Sequence, residues 1–175
     1  MNNNTYVHAY IKSLINEDSI CVDMTMGNGN DTLFLCERAK KVYAFDISRE
    51  AFANTSKRLE GFNNYELILD SHANVDRYIN EECDMFIFNL GFLPDGKDYS
   101  VTNASSSLVA VDKAYNLLKN NGYLIISFYI GHKGGKDEYY QINKYIENNK
   151  LFVLEKYSQD RIDSPITYII KKGPC

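Results

Sequence analysis

An α/β fold with a mostly parallel sheet is what this sequence predicts, and three observations predict it. Short apolar runs alternate with amphipathic stretches of helical period along the chain. Seven apolar runs can be counted, and only the last two lack a helix between them. The composition, 175 residues with 45% apolar and 24% charged, is that of one ordinary globular domain with room for a core. Strand–helix–strand units are right-handed and lay their strands parallel. The expectation is a single domain over 1–175, built on a seven-stranded sheet with an antiparallel edge hairpin.

The elements follow in order. "TYVHAYIKSLIN" (5–16) reads as an amphipathic helix and "SICVDMT" (19–25) as a short buried strand. "NDTLFLCERA" (30–39) is a helix and "KVYAFDI" (41–47) a second strand. "SREAFANTSKRLEGF" (48–62) is a helix with Ser48 as N-cap and Glu50 in its first turn. A third strand, "YELILDS" (65–71), precedes a short helix, "ANVDRYINE" (73–81). "CDMFIFNL" (83–90) is the fourth strand, followed by a helix over 105–120 that ends near "NNG". "GYLIISFYI" (122–130) is the fifth strand and 136–149 a helix. "LFVLEKYSQ" (151–159) and "SPITYIIKK" (164–172) close the sheet as a hairpin across "DRIDS".

Several classes fall away on composition. Net charge is −4, so any nucleic-acid contact has to be local rather than a general basic footprint. The four cysteines, Cys21, Cys36, Cys83 and Cys175, show no C-x-x-C spacing. No metal site or disulfide framework is expected, and a reducing cytosol fits. "MNNNTYVHAY" has no apolar h-region, and no run approaches the ~18 apolar residues of a membrane span. The expectation is a soluble, cytoplasmic protein.

Ligands in such sheets bind beyond the carboxyl ends of the strands, so the strand ends carry the argument. After the first strand comes "VDMTMGNGND" (22–31). Gly27 and Gly29 allow a tight turn and a close ligand approach. A dinucleotide fingerprint would need a third glycine where Thr32 stands. Asp23, four residues before Gly27, can accept from a ligand amine such as the ammonium of S-adenosylmethionine; the alternative is a structural Asp under a capping loop. Asp46 ends the second strand, 17 residues after Gly29 and near the ~20 expected of a ribose-binding acid. Ser71 and His72 end the third strand where an adenine would lie, with a capping role as the alternative for His72. Three strand ends in the right order point to a nucleoside cofactor, S-adenosylmethionine before NAD.

The fourth strand ends in "FNLGFLP" (88–94). Methyl transfer is an in-line displacement in which positioning supplies much of the rate. Asn89 can accept from an acceptor amine, Phe92 can stack on a flipped-out base, and Pro94 stiffens the loop. The fifth strand runs into "FYIGHKGG" (128–135), where Tyr129 and His132 would face the cleft. His132 can take a proton, or be a solvated turn histidine. Lys97, Lys133, Lys136 and Arg161 could form a basic rim for phosphates, with scattered surface charge as the alternative.

"DMTMGNGNDT", "FDIS", "DSH", "NLGFLP", "VTNASSSL" and "YIGHKGG" together resemble, in order, a small bacterial family long described as rRNA methylases and now linked to tRNA wobble-uridine modification. The resemblance covers nearly the whole chain. It implies a Rossmann-like class I methyltransferase fold. It also implies S-adenosylmethionine-dependent methylation of the primary amine of 5-aminomethyl-(2-thio)uridine at position 34 of tRNA. Carried over, it makes Asn28, Asn30, Asp46, Ser48, Ser71 and His72 cofactor contacts and puts Asn89, Tyr129 and His132 around the acceptor. The chain departs from the family at Met24, Met26, Asn30, Phe92 and Asp95. The implied partner is the tRNA anticodon arm, with no metal and no membrane. One compact domain offers little surface for that arm, which is compatible with a homodimer. An rRNA enzyme, a small-molecule amine methyltransferase, a nicotinamide-dependent oxidoreductase and an inactive binding module are the competing readings.

Overall fold

A computed structural model describes residues 2–91, 103–131 and 134–173. Its elements run α1 (Asn3–Ile11), β1 (Ile20–Asp23), α2 (Asn30–Cys36), β2 (Lys41–Asp46), α3 (Arg49–Arg58), β3 (Tyr65–Leu69), a 3-10 turn (His72–Arg77) and β4 (Cys83–Leu90). They continue with α4 (Ala104–Leu117), β5 (Leu118–Phe128), α5 (Gly135–Asn148), β6 (Val153–Ser158) and β7 (Ile166–Lys171). The seven strands stand in the order β3-β2-β1-β4-β5-β7-β6. β1 through β5 are parallel neighbours, and β7 runs antiparallel to both β5 and β6. The predicted Rossmann-like α/β sheet with its edge hairpin is what the chain adopts. The chain doubles back from β3 to β4 across β1, so the switch point, beyond whose strand ends ligands bind in sheets of this kind, lies between β1 and β4.

Side chains alternate across a pleated strand, and here both faces are covered. Val22, Tyr43, Phe45, Phe86, Phe88, Leu124 and Ile126 pack on one side with Ala110, Val111 and Ala114 of α4 and Ile142 and Ile146 of α5. Cys21, Val42, Met85, Ile87, Ile125 and Ile169 pack on the other with Val7 and Ile11 of α1 and Leu35 of α2. Continuous apolar runs such as "MFIF" are the signature of strands covered on both faces. The same alternation has a functional consequence. Asn89 shares the parity of Met85 and Ile87, and Tyr129 that of Ile125, so both face the α1/α2 side.

Several boundaries differ from expectation, and the helices expected over 5–16, 30–39 and 48–62 end earlier, at Ile11, Cys36 and Arg58. The first helix starts at Asn3 rather than residue 5, because the Asn2 side chain accepts from Thr5 N at 2.8 Å and caps it. The predicted helix over 73–81 is a six-residue 3-10 turn capped by Ser71. The helix over 105–120 gives way to β5 at Leu118, which is already extended (φ −67°, ψ 137°). No helix among the described residues is long and apolar enough to cross a membrane.

Candidate active site

The cleft is built from the ends of β1, β2, β3, β4 and β5. After β1 the chain folds into the glycine loop, where Gly29 N donates to Met26 O at 2.8 Å. Gly29 sits at φ +76°, and a Cβ there would stand 2.7 Å from Thr55 Cγ2 and Oγ1. Only glycine allows α3 this close. Thr55 Oγ1 in turn donates to Gly27 O at 3.1 Å, so α3 pins the loop from one side.

Asp46 holds the loop from the other. Its Oδ2 accepts from Gly27 N and its Oδ1 from Ser48 N, both at 2.9 Å. Two backbone donors fix the half-buried carboxylate and leave each oxygen a further lone pair. Paired acceptors on a rigid carboxylate suit a ribose diol, so the donor set fits a nucleoside cofactor. Ser48 caps α3 by accepting from Ala51 N at 3.2 Å. Asn28 accepts from Asn54 Nδ2 at 3.3 Å, and Asn30 is exposed at the start of α2.

Ser71 accepts from Ala73 N at 3.2 Å and remains half-buried. His72 is 8% exposed, and its Nδ1 donates to Met24 O at 2.9 Å, since a carbonyl can only accept. Burial pushes its pKa down, so the ring is neutral, with Nε2 as an acceptor. Its ring centroid lies 5.9 Å from that of Phe88. His72 thus underpins the loop and floor, with little surface to offer a ligand.

Asp23, expected to meet a ligand amine or to brace a capping loop, has a fully buried side chain. Oδ1 accepts from Thr25 N at 3.1 Å and Oδ2 from Thr32 Oγ1 at 2.7 Å. Burial first, and the charge of Asp31 second, push its pKa up to about 7. Its parity turns it under the loop toward α2, so it braces the turn that presents the glycines.

At the end of β4, Asn89 N donates to Thr25 Oγ1 at 2.8 Å and Asn89 Nδ2 donates to Asp31 Oδ2 at 2.6 Å. Gly91 follows at φ +75°, where a Cβ would lie 3.0 Å from Tyr129 O. The glycine of "FNLG" therefore serves a close crossing of the β4 and β5 ends. Tyr129 OH donates to Asn4 Oδ1 at 3.2 Å, and burial pushes its pKa up to about 12. Tyr129 and Asn89 stand at adjacent strand ends, where Tyr129 N donates to Leu90 O at 2.8 Å. His132, Phe92, Pro94, Asp95, Lys97 and Lys133 lie outside the described residues. Asn4, His8, Thr25, Thr32 and Asp31 were not singled out from sequence. The available signal was the Asn4–His8 spacing of four on a helix whose adjacent positions, Val7 and Ile11, are apolar.

Against this geometry stand the relatives. The family model described as "Putative rRNA methylase" matches residues 42–171. A tRNA (mnm(5)s(2)U34)-methyltransferase of the Arabidopsis thaliana chloroplast is 32% identical over 147 residues, 75% of this chain and 54% of the relative. The chain thus spans about half the length of that curated relative. SMU.1697c from Streptococcus mutans, crystallised in complex with SAH, is 32% identical with a TM-score of 0.88 over 98% of both chains. An rRNA methylase from Streptococcus thermophilus is 33% identical with a TM-score of 0.82, over 99% of this chain and 98% of the other. The matched range runs from β2 through β7, well over half of the chain, and the protein belongs to that rRNA methylase family.

Proposed function

We propose that this chain transfers a methyl group from S-adenosylmethionine to a primary amine of RNA, the aminomethyl group of the wobble uridine at position 34 of tRNA. The observation that carries the reading is the Asn89 amide, pinned by Asp31 at the end of β4, on the same face as Tyr129. The family membership and the name of the Arabidopsis relative support it.

When bound, S-adenosylmethionine supplies an electrophilic methyl on a sulfonium. Asp46 would accept from the ribose hydroxyls, and the backbone of Gly27 to Asn30 would line the amino-acid portion. Ser48, Ser71 and the side chains of Asn28 and Asn30 would border the nucleoside, with His72 supporting it from below. Asn89 Oδ1 would accept from an N–H of the amine and so aim its lone pair. The N–C bond forms as the C–S bond breaks, its electrons remain on sulfur, and one proton leaves the nitrogen. Tyr129 would flank the amine, and His132 would receive the proton. Lys136 and Arg161, with Lys97 and Lys133, would meet the RNA phosphates. A cytoplasmic setting and a homodimer spanning the anticodon arm belong to the same reading.

The test is transfer of labelled methyl to tRNA bearing an unmethylated aminomethyl group, read by nucleoside mass spectrometry. Label on N-methylated uridine-34 is expected. The family description favours ribosomal RNA as the second reading; label on ribosomal RNA with none on tRNA would establish that instead.

A further inference from the structure

The acceptor side of the cleft rests on a helix that the strand ends do not include. Asn4 and His8 lie one turn apart on α1, on the same stripe. Asn4 accepts from the Tyr129 hydroxyl, and His8 reaches Asp31 at the start of α2. His8 Nε2 stands 2.6 Å from Asp31 Oδ1, while Asp31 Oδ2 accepts from Asn89 Nδ2 at 2.6 Å. His8 is also held flat, stacked on Phe34 with ring centroids 4.0 Å apart and 15° between planes.

We propose that His8 is a positioning residue for the acceptor amine, acting through Asp31 to decide which end of the Asn89 amide faces the cleft. An ionised carboxylate only accepts hydrogen bonds, so Asp31 must be met by the NH2 end of Asn89. The carbonyl Oδ1 is thereby turned away from Asp31, and among the described residues nothing donates to it. An acceptor is what an incoming amine needs, since it must give up an N–H contact and keep its lone pair free for the methyl. Reversing the amide would present a donor and compete for that lone pair.

His8 fixes the Asp31 carboxylate in place. Asp31 is largely buried and lies close enough to Asp23 to raise that group's pKa. Tyr129, just after β5, faces the same charge. The groups around Asp31 are therefore His8 from α1, Asp23 from β1, Asn89 from β4 and Tyr129 just beyond β5. His8 gives it a donor against the Asp23 charge. Without that donor the Asp31 carboxylate loses one of the two side-chain partners that fix its rotamer, and Asn89 can then turn with it.

The inference rests on the reading of Asn89 as the partner of the acceptor amine. Its test compares His8→Phe, which keeps a ring on Phe34 but has no donor, with His8→Gln, whose amide can still reach Asp31. With S-adenosylmethionine and aminomethyl-uridine tRNA, His8→Phe is expected to lower kcat about tenfold, the scale of a misaimed reacting group. KM for S-adenosylmethionine should stay within about twofold, because the hydrogen bonds of Asn3, Asn4 and His8 go to Ser127, Thr167, Tyr129 and Asp31 rather than to Asp46, Ser48 or Ser71. His8→Gln should recover most of the rate. The side-chain amide pair of Asn89 in nitrogen–proton NMR, assigned as the signal lost in Asn89→Ala, should move in His8→Phe and return in His8→Gln. A wild-type kcat in His8→Phe, or an unmoved Asn89 signal, overturns the proposal. If the wild-type protein methylates no tRNA, the proposed function fails and the NMR comparison alone judges the contact chain: a moved signal upholds it and an unmoved one overturns it.

Discussion

Gly29→Ala is expected to destabilise the protein by about 2–3 kcal/mol, and the reason can be separated experimentally. Three costs add. An alanine at φ +76° stands in the left-handed region, at about 1 kcal/mol. Its Cβ would lie 2.7 Å from Thr55 Cγ2 and Oγ1, so Thr55 must leave its rotamer, at about 1 kcal/mol. That movement breaks the 3.1 Å bond from Thr55 Oγ1 to Gly27 O, at about 1 kcal/mol more. The smaller unfolded-state entropy of alanine returns about 0.5 kcal/mol. Urea unfolding of Gly29→Ala, Thr55→Ala and the double variant closes a cycle. In the Thr55→Ala background the backbone cost and a 3.0 Å contact with the Cβ of residue 55 remain, so the coupling should be about 1–2 kcal/mol. A coupling below about 0.5 kcal/mol would show that the close approach of α3 is not what requires the glycine.

Other consequences are as direct. Asp23 has a folded pKa raised above its unfolded value, so its contribution is fully present below about pH 4 and lost as pH rises toward 7. Denaturant titrations from pH 4 to 8 should show that loss in the wild type, bounded at about 4 kcal/mol, and a flatter profile in Asp23→Asn. Asp46→Ala removes the acceptor of the Gly27 and Ser48 amides and should weaken binding of S-adenosylhomocysteine by about 10–100-fold in calorimetry. Tyr129→Phe deletes the hydroxyl held by Asn4; initial rates on tRNA should fall by about threefold, with the urea midpoint nearly unchanged.

Much of this fold was legible because its signals are local. Runs such as "MFIF" and "LIIS" declare strands covered on both faces, and turn residues separate them from helices. The hairpin of β6 and β7 followed from the missing helix between them. The boundary at Leu118 was not legible, since Ala114, Leu117 and Leu118 continue a helical apolar stripe and only pairing with Cys83 pulls Leu118 into the sheet. The site divides the same way. Asp46, Ser71 and Asn89 could be named because a strand end is a sequence position. The burial of Asp23 could not be read, because which face a residue takes depends on the strand's register. His8 and Asp31 gained meaning only when α1 docked against α2, a contact between residues 23 apart that no spacing announces.

The place of β7 between β5 and β6 bears on the order in which the molecule is assembled. β6 is synthesised first but has no sheet neighbour until β7 arrives. Thr167 of β7 also donates to Asn3 of α1, across 164 residues, while Asn3 donates to Ser127 at 3.1 Å. The cofactor half, from β1 to β3, can close from contacts within the first seventy residues or so. The α1 buttress of the acceptor half must wait for nearly the whole chain to leave the ribosome. Pairings of such separation are slow to form. A nascent chain of this kind pairs β1 to β3 early and seats α1 against the far side of the sheet last.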